Sequence, residues 1–234
     1  MLALALWWGF LRDDARLVAQ GTRIELNFGR LADGTPPTQF DTGQSAHLTH
    51  SPELADSDIF IRAGRLTYRP TTTSAAAAYF SSEDLGAPVK SLGASWVFTP
   101  GREGYGAIAL VVSRDIQVEF PPIRAPIPIH FVATAINWNL SLKKADGDEL
   151  QPIAAGFFDE PLAQDGRTIY STSIAINGDA ATIALPDGKR HVVRDARISQ
   201  WQGNFATFEL YSNNGLDNSV GAFTEIWADA QGQG

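Results

Sequence analysis

The sequence predicts an all-β protein built as an antiparallel two-sheet β-sandwich, and three observations carry that prediction. Apolar residues alternate with polar ones at every second position along much of the chain, as half-buried strands require. Clusters of Gly, Pro, Asn and Asp interrupt the alternation about every ten residues, the spacing of hairpins in sandwiches. Helical periodicity is confined to residues 13–18 and 195–201, each about two turns at most.

Residues 1–11 (MLALALWWGFL) are apolar over the length of an export-signal core, yet no Lys or Arg precedes them. They fall short of the about 20 apolar residues that cross a bilayer. An atypical or truncated export signal, a buried first segment and an upstream piece of a longer polypeptide all fit. A first strand pair is expected over residues 17–28, around Gln20-Gly21. Residues 31–52 contain Asp33-Gly34, Pro36-Pro37, Thr42-Gly43 and Ser51-Pro52, so a linker or long surface loop is expected there. The organisation that follows is an N-terminal apolar segment with first strands over 1–30, a sandwich over 31–229 and a flexible tail over 230–234.

Within the sandwich, residues 58–69 form a hairpin turning at Ala63-Gly64, and residues 76–80 enter a strand. In residues 91–99, Trp96 and Phe98 share one face. Residues 105–112 are small or branched and nearly all apolar, which suits a central strand covered on both sides. A short strand over 116–120 precedes Pro121, Pro122, Pro126 and Pro128. Residues 129–143 are the longest candidate strand, with Trp138, Leu140 and Leu142 opposed to Asn137, Asn139, Ser141 and Lys143. The chain turns at 145–148 and returns over 150–158. In residues 168–176, Tyr170, Ile174 and Ile176 share a face. Asn177-Gly178-Asp179 then supplies the positive φ of a tight hairpin and 181–185 resumes the alternation. Pro186-Asp187-Gly188 is a second turn, and strands over 204–211 and 220–227 close the run. About a dozen strands result.

Composition removes several functions. Eighteen Lys and Arg stand against 26 Asp and Glu, a formal charge of −8, and no basic run exists, so nucleic acid is not an expected partner. The chain has no cysteine, which excludes disulfides, thiolate metal sites and cysteine nucleophiles. Thirteen Phe, six Trp and five Tyr with 44% hydrophobic residues argue for a packed core rather than disorder.

The chemical motifs are few. His47 and His50 are the only close histidines and lack a third ligand, so no zinc site is expected; His130 is read as a core or edge residue. Residues 146–149 and 213–218 are oxygen-rich in the way calcium requires, although ordinary turn chemistry explains both; no cofactor is assigned and calcium is the metal left open. No Gly-x-Ser-x-Gly elbow or phosphate loop occurs. Carboxylates for glycoside cleavage exist on strands: Glu83, Asp84, Asp115, Glu119, Glu209 and Glu225, of which Glu209 and Glu225 would approach if their strands paired. A gentler possibility is sugar binding, which combines a stacking aromatic with amide and carboxylate partners. Gln200-Trp201-Gln202 and Tyr211-Ser212-Asn213-Asn214 have that chemistry, whereas Trp138 and Trp227 are expected as core residues beside Leu140 and Phe223.

Gly64-Arg65-Leu66-Thr67, then Gly93-Ala94-Ser95-Trp96-Val97-Phe98, then Asp187-Gly188, Phe208-Glu209 and Ala222-Phe223-Thr224-Glu225-Ile226-Trp227-Ala228 resemble the concanavalin A-like jelly rolls. More narrowly, they are similar to those of uncharacterised actinobacterial proteins and of tail proteins of their phages. The likeness covers about Phe40 to Ala228. It implies two curved antiparallel sheets and, for many members, lectin-like glycan binding on the concave face. The Glu-x-Asp-x-x-Glu strand of the family's β-glucanases is missing, as are the Gln-x-His and Arg-x-Glu elements of its alginate lyases, so no catalytic residue carries over. The first expectation is therefore a noncatalytic carbohydrate-binding or adhesion module, extracellular, on a cell surface or on a virion. Trp201, Tyr211, Asn213, Asn214 and Asp217 would line its site, and a cell-surface polysaccharide would be its partner. A glycan-cleaving enzyme using Glu209 and Glu225 is the second. The third is a structural domain of a larger assembly, such as a phage tail, joined to a partner or a second copy through residues 1–11.

Overall fold

The computed structural model describes residues 22–71, 73–101, 106–116, 129–143, 149–200, 203–213 and 218–230. Its strands begin with β1 (Arg23–Asn27), β2 (Ala46–His50), β3 (Ile59–Ile61), β4 (Leu66–Tyr68) and β5 (Ala76–Ser82). They continue with β6 (Val89–Phe98), β7 (Gly106–Ser113), β8 (Ile129–Thr134), β9 (Asn137–Leu142) and β10 (Gln151–Phe157). The last are β11 (Tyr170–Asn177), β12 (Ala180–Ala184), β13 (Arg190–Arg194), β14 (Phe205–Ser212) and β15 (Gly221–Ala230), with one helical turn, α1 (Ala196–Gln200), between β13 and β14.

Alternation sorts these strands into two antiparallel sheets. One has seven strands in the order β10-β9-β8-β7-β14-β5-β2. The other has eight, in the order β13-β12-β11-β6-β15-β4-β3, with β1 also paired to β15. The inner faces meet in one core. Ile108 and Leu110 of β7, Phe131 of β8 and Phe208 of β14 come from the first sheet; Leu92 and Trp96 of β6, Ile174 of β11 and Phe223 of β15 come from the second. Phe208 and Phe223 meet edge to face across the two sheets, with centroids 6.2 Å apart. Every residue of β7 is buried, as the unbroken apolar run predicted, and Trp138 lies in the core beside Phe131.

Several elements differ from expectation for local reasons. Residues 129–143 are two strands, because the Thr134 hydroxyl accepts from the amides of Ile136 and Asn137, both at 3.1 Å, and turns the chain. The stretch 31–52 holds a strand, β2, whose only large apolar residue is Leu48; it pairs with β5. In place of a local pair around Gln20-Gly21, β1 pairs with the C-terminal β15, from Arg23↔Asp229 to Asn27↔Glu225. The segment grouped with the N-terminus thus contributes a strand to the sandwich itself. The short strand over 116–120 and the helical stretch 13–18 lie outside the described residues, apart from Ile116.

Trp227 is a further correction. β15 slips register between Phe223 and Glu225, and one extra residue reverses the alternation beyond it. Phe223 and Ile226 both face the core as a result, and Trp227 turns outward, half-buried. Its ring lies against Gly93, where a Cβ would stand 2.7 Å away, and the Arg23 guanidinium sits 5.3 Å from its centroid.

Candidate functional site

The outer face of the seven-stranded sheet is set by parity. Since Phe208 and Leu210 face the core, Thr207, Glu209 and Tyr211 of β14 face outward. Ala107, Ala109 and Val111 of β7, His130, Val132 and Thr134 of β8, and Asn137, Asn139 and Ser141 of β9 share that side. Register aligns Tyr211, Ala107 and Thr134 in one row and Tyr79, Glu209, Ala109, Val132 and Asn139 in the next.

The centre of this face is closed. His130 Nε2 and Glu209 Oε2 lie 3.0 Å apart, with side chains only 8% and 4% exposed, and reach each other over the small side chains of β7. Ser81 and Thr207 are bonded at 2.8 Å alongside. The Tyr79 hydroxyl is buried with no hydrogen-bond partner among the described residues. Burial, reinforced by the charge of Glu209, holds its proton far above the usual tyrosine range.

One end of the face opens into a cavity of about 860 Å³. Its floor is Ala107, Val132 and Thr134, one flank is Tyr211 with Asn213, and the other is the segment 161–165. That segment is pinned by two hydrogen bonds, Leu162 N to Ala135 O at 2.7 Å and Ala163 N to the Tyr170 hydroxyl at 2.6 Å, and the chain entering it by Phe158 N to Ile136 O at 3.0 Å. The half-buried Tyr211 donates its hydroxyl to Asn213 Oδ1, and burial first, then Glu209, raises its pKa. Thr134 Oγ1 donates to Asn137 Oδ1 at 2.9 Å. Asp165 accepts from the amides of Thr168 and Arg167 and from the Thr168 hydroxyl, which hold its carboxyl down at about 2 although it is exposed. Ile136, 51% exposed, adds an apolar rim. The cavity thus joins an aromatic face, three side-chain amides (Asn137, Gln164 and Asn213), a fixed carboxylate and apolar wall, an arrangement suited to a ring with one apolar face and a periphery of hydroxyls.

Of the expected site residues, Tyr211 and Asn213 come together here. Trp201, Asn214 and Asp217 lie outside the described residues, as do residues 146–148 and 214–217 of the oxygen-rich loops. Among the described residues no group of three or more His, Asp and Glu is placed to hold a metal ion. His50 bonds the Ser51 carbonyl and Asp56, and strand alternation turns His47 to the opposite face. The pairing of Glu209 with Glu225 is overturned. β14 and β15 belong to different sheets, and Glu225, between Asn27 and Ser95, faces outward from the eight-stranded sheet while Glu209 faces outward from the other. The whole sandwich separates them, beyond the about 5–9.5 Å of glycosidase carboxylate pairs. Thr134, Asn137 and the segment 161–165 were not anticipated as site residues. The alternation of Asn137 and Asn139 with Trp138 and Leu140 was the one available signal.

No protein-family model and no curated protein matches the chain. Solved structures do match, and the fold is that of the concanavalin A-like jelly rolls. The CBM2 module of the evolved Dit of Lactobacillus casei BL23 phage J-1 has a TM-score of 0.56 at 10% identity, over 92% of this chain and 99% of that one. The carbohydrate recognition domain of Emp47p has a TM-score of 0.57 at 11% identity, over 94% and 99%. The catalytic domain of an endo-1,3-beta-glucanase (laminarinase) from Thermotoga petrophila RKU-1 has a TM-score of 0.56 at 10% identity, over 92% and 99%. No helix among the described residues is long and apolar enough to cross a membrane.

Proposed function

We propose that the protein is a noncatalytic carbohydrate-binding or adhesion module of a cell-surface, secreted or virion protein, and that it holds a glycan in the cavity beside Tyr211. The observation that carries this reading is that open cavity, where the Tyr211 ring and the amides of Asn213 and Asn137 meet the fixed charge of Asp165. A sugar residue stacks its apolar face on the ring while its hydroxyls meet the amides and the carboxylate. The polar groups that would serve acid–base cleavage, His130 and Glu209, are engaged with each other beneath the surface, and Glu225 is on the far side. Two structural neighbours are named for carbohydrate recognition or belong to a phage Dit, which supports both the ligand class and a surface or virion location.

The test incubates the purified full chain with a panel of bacterial and plant polysaccharides and reads retention and released reducing ends together. Retention on at least one polymer with no release is the expected result. Release of sugar ends would contradict the noncatalytic reading, and no retention on any polymer would remove the glycan.

A further inference from the structure

A second cavity, of about 830 Å³, lies on the outer face of the other sheet, at the β3–β4 hairpin. Ile59, Ile61, Leu66 and Tyr68 face the core, so Phe60, Arg62, Arg65, Thr67 and Arg69 face outward. Phe60 pairs with Thr67, and beyond the Ile61–Leu66 pair the residues that close the turn place Arg62 directly opposite Arg65, their backbones joined at 2.9 and 3.2 Å. Like charges directly opposed on paired strands cost stability, and a local rule broken in an otherwise consistent hairpin is a mark of function. The Asp33 carboxylate stands at the turn on the Ala63 amide, but no ion pair to either arginine forms among the described residues. Arg65 Nη1 donates to the carbonyl of Gly166 at 2.8 Å, which positions the guanidinium without neutralising it. Arg62 is exposed, and among the described residues neither it nor Arg65 meets a carboxylate. Arg69 lies 3.7 Å from Asp58, a carboxylate that also accepts from the Ala55 amide. The hairpin is rigid, held by Asp33 accepting from the Ala63 amide at 2.7 Å and by the Gly34–Ile61 bridge. Three arginines thus surround one cavity on a chain of formal charge −8, with the half-buried Phe60 ring and Thr67 on its floor.

We propose that this cavity binds an acidic sugar residue, its ring on Phe60 and its carboxylate, sulfate or phosphate between Arg62 and Arg65. Guanidinium forks match such oxyanions, and an aromatic face matches the ring. The two cavities are neighbours. Pro100 lines this one and Gly101 the other, while Asp165 lines the other and Gly166 holds Arg65. Gly166, with φ 70° and no room for a Cβ against Pro100 (2.6 Å), lets the two loops close into the ridge between them. One acidic polysaccharide crosses that ridge and fills both cavities. The polymer rests on the reading of the Tyr211 cavity given above, whereas the anion rests on the arginines alone.

The experiment measures dissociation constants of the full chain for galacturonate oligosaccharides and for their methyl esters, with inorganic phosphate as a third arm. Each arm is repeated with Arg62→Gln/Arg65→Gln and with Tyr211→Ala. The acid form is expected to bind at least tenfold tighter than the ester at low salt. That preference is expected to shrink as salt screens the charges and to vanish in the double glutamine variant. Relief of the like-charge pair offsets the lost bond to Gly166, so the variant's melting temperature is expected to change by no more than a few degrees and lost preference is not lost fold. Equal affinity for acid and ester, or a preference that survives the double variant, overturns the proposal. Phosphate binding as tight as the oligosaccharide assigns a free-anion site and overturns the sugar. Tyr211→Ala weakening acid and ester by the same factor, with the acid preference intact, separates the contributions of the two cavities. A Tyr211→Ala variant that binds the ester as the parent does refutes the Tyr211 site and leaves the arginine site standing.

Discussion

The centre and the open end of the seven-stranded sheet's outer face carry similar residues and play opposite parts. The centre has Tyr79, Glu209 and His130; the end has Tyr211, Asp165 and Asn137. At the centre the polar groups are buried against one another, and the Tyr79 hydroxyl has no described partner. At the end the same kinds of group stand around a cavity, with Asp165 fully charged and Tyr211 half-buried. A face's inventory of aromatic and acidic residues therefore does not by itself mark a candidate site. What marks the candidate is where the face stops being covered while its groups stay held in place.

The largest effect that sharpens this contrast is on stability at the centre. Glu209→Ala strands the buried His130 and is expected to cost about 3 kcal/mol in urea unfolding. A loss below about 1 kcal/mol would mean the centre is wetter and freer than the geometry indicates. A smaller effect is expected at the end. The three donors that depress Asp165 favour the ionised carboxylate, so its contribution to the fold is complete above the unfolded pKa of about 4. That contribution is lost only as pH falls from there towards about 2. Glycan retention is therefore expected to hold level from pH 8 to pH 5, and a midpoint within that range would show that another group governs binding.

Much of the fold was legible and much less of the candidate site. Alternation identified β6, β9, β11 and β12, which turn one face to the core, and an unbroken apolar run identified β7, which is buried on both faces. It failed at β2, an edge strand with a single large apolar residue. At residue 134 a hydroxyl turned the chain where the apolar pattern continued. Trp227 was misplaced because a bulge leaves no trace in the spacing of Phe223 and Trp227, which share a face on any regular strand. Glu209 and Glu225 were paired because consecutive strands are usually neighbours, whereas these two divide between the sheets. Tyr211 and Asn213 were legible as an aromatic beside amides. The segment 161–165 was not, since its place depends on backbone bonds to Ala135 and Ile136 that no local pattern encodes.

The most direct test sets the two tyrosines side by side on whichever polysaccharide the full chain retains. Tyr211→Ala is expected to weaken retention at least tenfold while the melting temperature changes by no more than a few degrees. Tyr79→Phe, which removes only the unpartnered hydroxyl, is expected to bind as the parent does. The opposite pattern, with binding lost in Tyr79→Phe and kept in Tyr211→Ala, would put the ligand at the centre of the face and contradict the account.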